Sequence, residues 1–314
     1  MVFDPIVLFF ALGLVAGIAK SDLKVPSSIY EALSIYLLLA IGLKGGVELS
    51  KHELSSLMFG SMVVLLAGAV IPLVAFQILR YMGRLNRPDA ASIAAHYGSV
   101  SVVTYSVGVA ALNELKVDYE GYMAVYLVLL EIPALILGVV LARMGAEGQA
   151  RIQWGKLLHE IFFGKSILLL TGGLLIGYVA GVGGFKQMAP LFSDLFKGAL
   201  ALFLLEMGLV AASRMAAFRS YGAFLVAFGI GMPILSAIGG VLTAKLLGLS
   251  VGGATLLATL YASASYIAAP AAMRIAVPQA NPALSIGTAL GVTFPFNIFV
   301  GIPLYLWMSQ QFIG

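Results

Sequence analysis

Apolar stretches of roughly twenty residues follow one another through this chain with only short charged or Pro/Gly breaks between them, and that is the length a helix needs to cross a bilayer. Such runs leave little choice of fold. They lack the alternating period of a membrane β-barrel strand, and a composition 61% hydrophobic and only 10% charged rules out an ordinary soluble domain. The reading is an all-α integral membrane protein. Ten candidate spans lie at roughly 3–19, 28–43, 56–81, 90–112, 121–144, 165–182, 191–213, 219–245, 251–277 and 283–310. The first segment, "FDPIVLFFALGLVAGIA", carries Asp4 and no basic leader, so it reads as a mature span. There is no cysteine, and His52, His96 and His159 are too scattered for a metal site.

With ten spans, one face collects Lys20, Lys24, Arg80, Arg84, Arg87, Arg143, Arg151, Lys156, Lys165, Arg214, Arg219 and Arg274, twelve of eighteen basic residues. The other holds Lys44, Lys51, Lys116, Lys186, Lys197 and Lys245. The bias puts the first face in the cytoplasm and both termini outside, in the cell's inner (plasma) membrane. It also explains the net charge of +4 without a nucleic-acid partner.

The two halves of the chain resemble each other. "GLVAG" (13–17) recurs as "GLLIG" (173–177), "LLLAIGL" (37–43) as "FLLEMGL" (203–209), "YGSVS" (97–101) as "YASAS" (261–265), and "EIP" (131–133) as "TFP" (293–295), with offsets of 160 to 166. The expected division is a first five-helix repeat at 1–144, a short cytoplasmic linker at 145–164 and a second repeat at 165–314. Five helices per repeat is an odd number, so the second copy enters from the opposite side, which makes a 5+5 inverted repeat.

The polar knots at 97–101 and 261–265 fall near the middles of spans 4 and 9. Ser99 and Ser101, like Ser263 and Ser265, are two apart, so extended chain would point each pair to one side. Small neighbours, Gly98 and Ala262, would let two unwound segments cross, and Pro270 suits a restarting half-helix. The broken ends would offer amide hydrogens to an anion. The expected substrate-binding residues are Gly98, Ser99, Val100, Ser101, Ala262, Ser263, Ala264 and Ser265. The plainer alternative is serines bonded back to their own helix.

Glu131, inside the fifth span, is costly in hydrocarbon and marks a cavity or ion path. Thr104, Glu131, Thr293 and Asn297 form the expected ion-coupling set, with Thr104, Glu131 and Asn297 as sodium ligands; alternatively Glu131 carries a proton. Glu206 is a weaker candidate. His96, three residues before Ser99, suggests an intramembrane hydrolase, but no orienting acid accompanies it and the second knot has Leu260 in its place.

At these residues, and in "IGLKGGVEL" (41–49), "YEGYMAVYLVLLEIPALILGVVLA" (119–142) and "RIAVPQANPALSIGTALGVTFPFNIFVGIPL" (274–304), the chain resembles the cyanobacterial sodium-dependent bicarbonate transporter family over nearly its whole length. The resemblance implies a homotrimer of ten-helix protomers, each with a gate of helices 1, 2, 6 and 7 and a core of helices 3–5 and 8–10. Bicarbonate would lie between crossed helices 4 and 9, with elevator-like movement, sodium as co-substrate and no further cofactor. It also implies a PII-like regulatory protein on the cytoplasmic face. The chain departs from the family pattern at Tyr266, where an aspartate is usual, at Ala268-Ala269 in place of Gly-Pro, at Ala40 in place of lysine and at Lys44 in place of threonine. The alternatives are a passive anion channel and a sodium- or proton-coupled organic-anion symporter of the ten-helix bile-acid type.

Overall fold

The computed structural model describes residues 5–144, 154–215 and 222–314, and among them the regular elements are helical. In chain order they are α1 (Pro5–Ile18), α2 (Ser27–Leu49), α3 (Leu54–Gln77, extended by a π-helical turn, Ile78–Met82), α4 (Arg87–Gly98), α5 (Val102–Glu114) and α6 (Met123–Arg143). Then follow α7 (Trp154–Phe163), α8 (Lys165–Lys186), α9 (Phe196–Met215), α10 (Gly222–Leu247), α11 (Val251–Ala262), α12 (Ala268–Ala276) and α13 (Pro282–Phe312).

Seven of these are long and apolar enough to cross a membrane: α2, α3, α6, α8, α9, α10 and α13. The protein is therefore a multi-pass membrane protein. The count differs from the ten stretches in the sequence for physical reasons. Stretches 4 and 9 are each divided into two short helices, α4/α5 and α11/α12, and α1 is only 14 residues long. Within the expected linker, residues 145–153 lie outside the described residues, as does Arg219, and 154–163 form α7. That helix buries Leu157 and Ile161 and exposes Trp154, Leu158, Phe162 and Phe163, the pattern of a helix lying in the membrane interface.

Met58, Phe59, Met62, Leu66 and Val70 of α3 and Leu175, Ile176 and Val179 of α8 are exposed. In a bilayer these faces meet lipid, while serines, threonines and Glu131 are turned inward. Two helix pairs pack most closely, α2 with α8 and α1 with α9. Small residues make this possible. A Cβ added at Gly46 would stand 2.0 Å from the Leu174 carbonyl oxygen, and one at Gly13 equally close to that of Leu205. Gly42, Gly173, Gly177 and Gly208 sit in similar backbone contact. The "GLVAG" and "GLLIG" segments are thus the packing seams of α1 and α8. Gly46→Leu is expected to cost about 3 kcal/mol or more by overpacking, read as a fall in the thermal unfolding midpoint in detergent, whereas lipid-facing Met62→Leu should leave it nearly unchanged.

Candidate functional site

Each helix break follows from local chemistry. The side chain of Asn86 caps α4 by accepting from the Asp89 amide at 2.8 Å. The helix ends at Gly98, where Ser99 turns extended (φ −86°, ψ 164°). Two residues later Ser101 caps α5, accepting from the Thr104 amide at 3.2 Å. The second knot repeats this arrangement. Ser250 caps α11 through the Gly253 amide, Ser263 is extended (φ −81°, ψ 166°), and Ser265 accepts from the Ala269 amide at 3.3 Å as α12 begins. Pro270 lies in the first turn of α12, where its missing amide costs no hydrogen bond.

The two breaks touch. The Ser265 amide donates to the His96 carbonyl at 2.8 Å, and the Ser101 amide donates to Ser263 Oγ at 2.9 Å. Ser263 Oγ in turn donates to the Leu260 carbonyl at 2.8 Å. Gly98 lies against Pro72 of α3 so closely that a Cβ would meet its ring at 2.7 Å. Tyrosines anchor both ends. Tyr261 donates to the Val64 carbonyl of α3 at 2.7 Å, and Tyr97 donates to Thr293 Oγ1. Thr293 then donates to the Gly229 carbonyl at 2.7 Å, the acceptor that Pro233 leaves without its helical partner.

Of the expected site residues, Val100, Ser101, Ser265 and Glu131 line one small cavity beside the crossing, joined by Ser166 of α8 and Tyr266. Five polar atoms near this crossing are buried without a hydrogen bond to the described residues: His96 Nε2, Ser99 Oγ, Glu131 Oε2, Ser166 Oγ and the Tyr266 hydroxyl, which approaches Ser101 without reaching hydrogen-bond geometry. Native proteins leave few such groups, and each asks for a water, ion or ligand.

Ala262, Ser263 and Ala264 are buried at the end of α11, and Thr104 in the first turn of α5. Thr293 and Asn297 do not line the Glu131 cavity. Thr293 is engaged as above, and Asn297 donates to the Ala262 carbonyl at 2.9 Å while accepting from Tyr305 at 2.6 Å. Glu206 accepts a backbone hydrogen bond from Val25, away from the crossing. Sequence reasoning gave no role to Ser166 and saw Tyr266 only as a departure from the family pattern. The one signal for Ser166 was its place at the apolar start of α8.

Two clefts approach the crossing from opposite ends of α2. One is lined by Lys44, Glu48, Lys51, Tyr105, Ser106 and Tyr119. Lys51 pairs with Glu48 at 2.6 Å, Lys44 stands 4.2 Å above the Phe196 ring, and burial raises the Tyr119 phenol above its ordinary value, so it stays a neutral donor. The other is lined by Tyr30, Glu160, Lys165, Ser166 and Tyr266, and it shares the last two with the crossing cavity. Among the described residues no group of three or more His, Cys, Asp or Glu could hold a metal.

A family model described as the Na+-dependent bicarbonate transporter superfamily matches residues 5–310. A search of curated proteins finds no match.

Proposed function

The chain belongs to the Na+-dependent bicarbonate transporter superfamily, and on that premise we propose that it is a secondary active transporter importing a small anion, bicarbonate, together with sodium. The observation that carries this reading is the meeting of two broken helices beside an inward-turned carboxylate. At such a crossing the starts of α5 and α12 offer amide hydrogens and partial positive charge to an anion, held by Gly98, Ser99, Val100 and Ser101 with Ala262, Ser263, Ala264 and Ser265. Sodium near Glu131 neutralises the carboxylate and orders the crossing. Coupling follows if each ligand binds better with the other present, and that preference is reciprocal.

The proposal includes ten spans as a 5+5 inverted repeat, 1–144 and 165–314, with α4/α5 and α11/α12 as interrupted spans 4 and 9. The pairing of helices supports it. An exchange of the repeats turns the α1·α9 contact into the α8·α2 contact, and both rest on the glycines of the repeated motifs. The gate would be α1, α2, α8 and α9, and the core α3–α6 with α10–α13, moving elevator-like. Both termini outside an inner membrane fits the bias of basic residues. A homotrimer and a PII-like regulator on the cytoplasmic face are proposed from the family resemblance.

The test is uptake of labelled bicarbonate into proteoliposomes with and without an inward sodium gradient, at fixed pH and clamped voltage. The expected result is accumulation above the equilibrium level only with the gradient. Conductance without accumulation would replace the symporter with a channel, and no uptake by folded protein would limit the family relation to the fold.

A further inference from the structure

The cleft at the C-terminal end of α2 leads to the crossing along α5. That helix starts where Ser101 caps it, and Ser106, on the cleft wall one turn later, donates to the Val102 carbonyl at 2.7 Å. The charged residues that line the cleft, Lys44, Glu48 and Lys51, come instead from α2 and the turn that follows it. Glu48 and Lys51 pair at 2.6 Å and cancel each other at the rim. Lys44 is left. It stands one helical turn farther into the membrane than Glu48, half-buried, with no carboxylate within 4 Å among the described residues. Asp194 acts on it through space but is exposed, so solvent screens that acid. The Phe196 ring, 4.2 Å from the ammonium, steadies the cation without neutralising it. An ionisable side chain inside a span is retained where it faces a wet path, and this one keeps an uncancelled positive charge on it. The cleft at the other end of α2 differs, since Glu160 and Lys165 in its lining are equal and opposite.

We propose that Lys44 is an anion-capture residue: it draws the transported monovalent anion into the outer cleft and strengthens its binding from that side alone. The proposal rests on the symporter reading above and adds to it a residue outside the crossing and a difference between the two faces of the membrane. A charge in a cleft with low-dielectric walls acts over a longer range than in bulk water. In the elevator-like movement the anion travels with α5 and the crossing, while Lys44 stays on α2. Its attraction therefore aids loading from outside and is left behind before release. The same charge repels sodium, so its help is confined to the anion.

The experiment is initial sodium-driven uptake of labelled bicarbonate at neutral pH by right-side-out and inside-out membrane vesicles containing the full-length chain, with vesicles lacking it as the blank. Lys44→Met keeps an apolar stem beside Phe196 and removes the charge, whereas Lys44→Arg keeps the charge. In right-side-out vesicles Lys44→Met should raise the half-saturating bicarbonate concentration about three- to tenfold, with the maximal rate and the Lys44→Arg variant within about twofold of wild type. Its half-saturating sodium concentration should stay the same or fall. Higher ionic strength should weaken wild-type bicarbonate binding toward that of Lys44→Met and move the variant little. In inside-out vesicles the three proteins should bind bicarbonate alike. If sodium drives uptake in wild type and Lys44→Met leaves the half-saturating bicarbonate unchanged, capture by Lys44 is overturned and the symporter reading stands. A rise that appears equally on both faces, or that Lys44→Arg fails to restore, overturns it too and makes Lys44 a packing residue. If wild-type uptake ignores sodium, the symporter reading falls and this proposal with it.

Discussion

Glu131→Gln should strip sodium dependence from bicarbonate uptake while the protein still folds. Among the described residues lining the crossing cavity the carboxylate supplies the one formal charge, so its loss should raise the half-saturating sodium concentration by about ten- to a hundredfold, the size expected when a charge-assisted contact is removed. Stability should not suffer, because Glu131 Oε2 makes no hydrogen bond to the described residues and a neutral amide is cheaper to bury. In sodium-free detergent the unfolding midpoint should equal or exceed that of wild type. A sodium titration unchanged by the substitution would reduce Glu131 to a structural carboxylate.

Ser99→Val combined with Ser263→Val should abolish uptake, and the two serines should do so for different reasons. Ser263 holds the crossing together, accepting from the Ser101 amide and donating to the Leu260 carbonyl. Its replacement orphans a buried amide, at a cost of about 1–3 kcal/mol. Ser99 Oγ has no hydrogen-bond partner among the described residues, so Ser99→Ala should leave the unfolding midpoint in place and raise the half-saturating bicarbonate concentration by about tenfold. Normal uptake by the double variant would remove the crossing from the substrate path, and a fall in stability without a transport defect in Ser99→Ala would make that residue a packing group.

The two breaks were legible because their cause is local. Serines two apart, small neighbours and Pro270 are all written within a few residues, and the offset of 164 between the knots doubled the signal. Glu131 was legible for a similar reason, since an acid amid "VLLEIPAL" has few uses in hydrocarbon. What surrounds Glu131 was not. Ser166 reaches the cavity from α8, 35 positions along the chain, and only tertiary packing brings it there. Thr293 and Asn297 show the opposite failure. Their oxygens looked available in sequence, but Thr293 satisfies the backbone acceptor freed by Pro233 and Asn297 satisfies the buried Ala262 carbonyl at the end of α11, needs that only the fold creates. The seven continuous helices mark the same limit, because hydropathy counts apolar stretches without seeing where the backbone ceases to be helical.

The two clefts also bear on how the protein meets the membrane voltage. Water filling both would carry bulk potential inward along α2 from either end, leaving the electrical drop to fall across the layer between Tyr105 and Tyr266. A full elementary charge crossing that layer gains or loses about 2.3 kcal/mol per 100 mV. Cargo carrying one positive and one negative charge together would gain nothing from it. Glu131 faces the crossing cavity between the clefts, so a carrier with that carboxylate unneutralised, unlike one with its cation in place, would have to move its charge against or along the membrane potential.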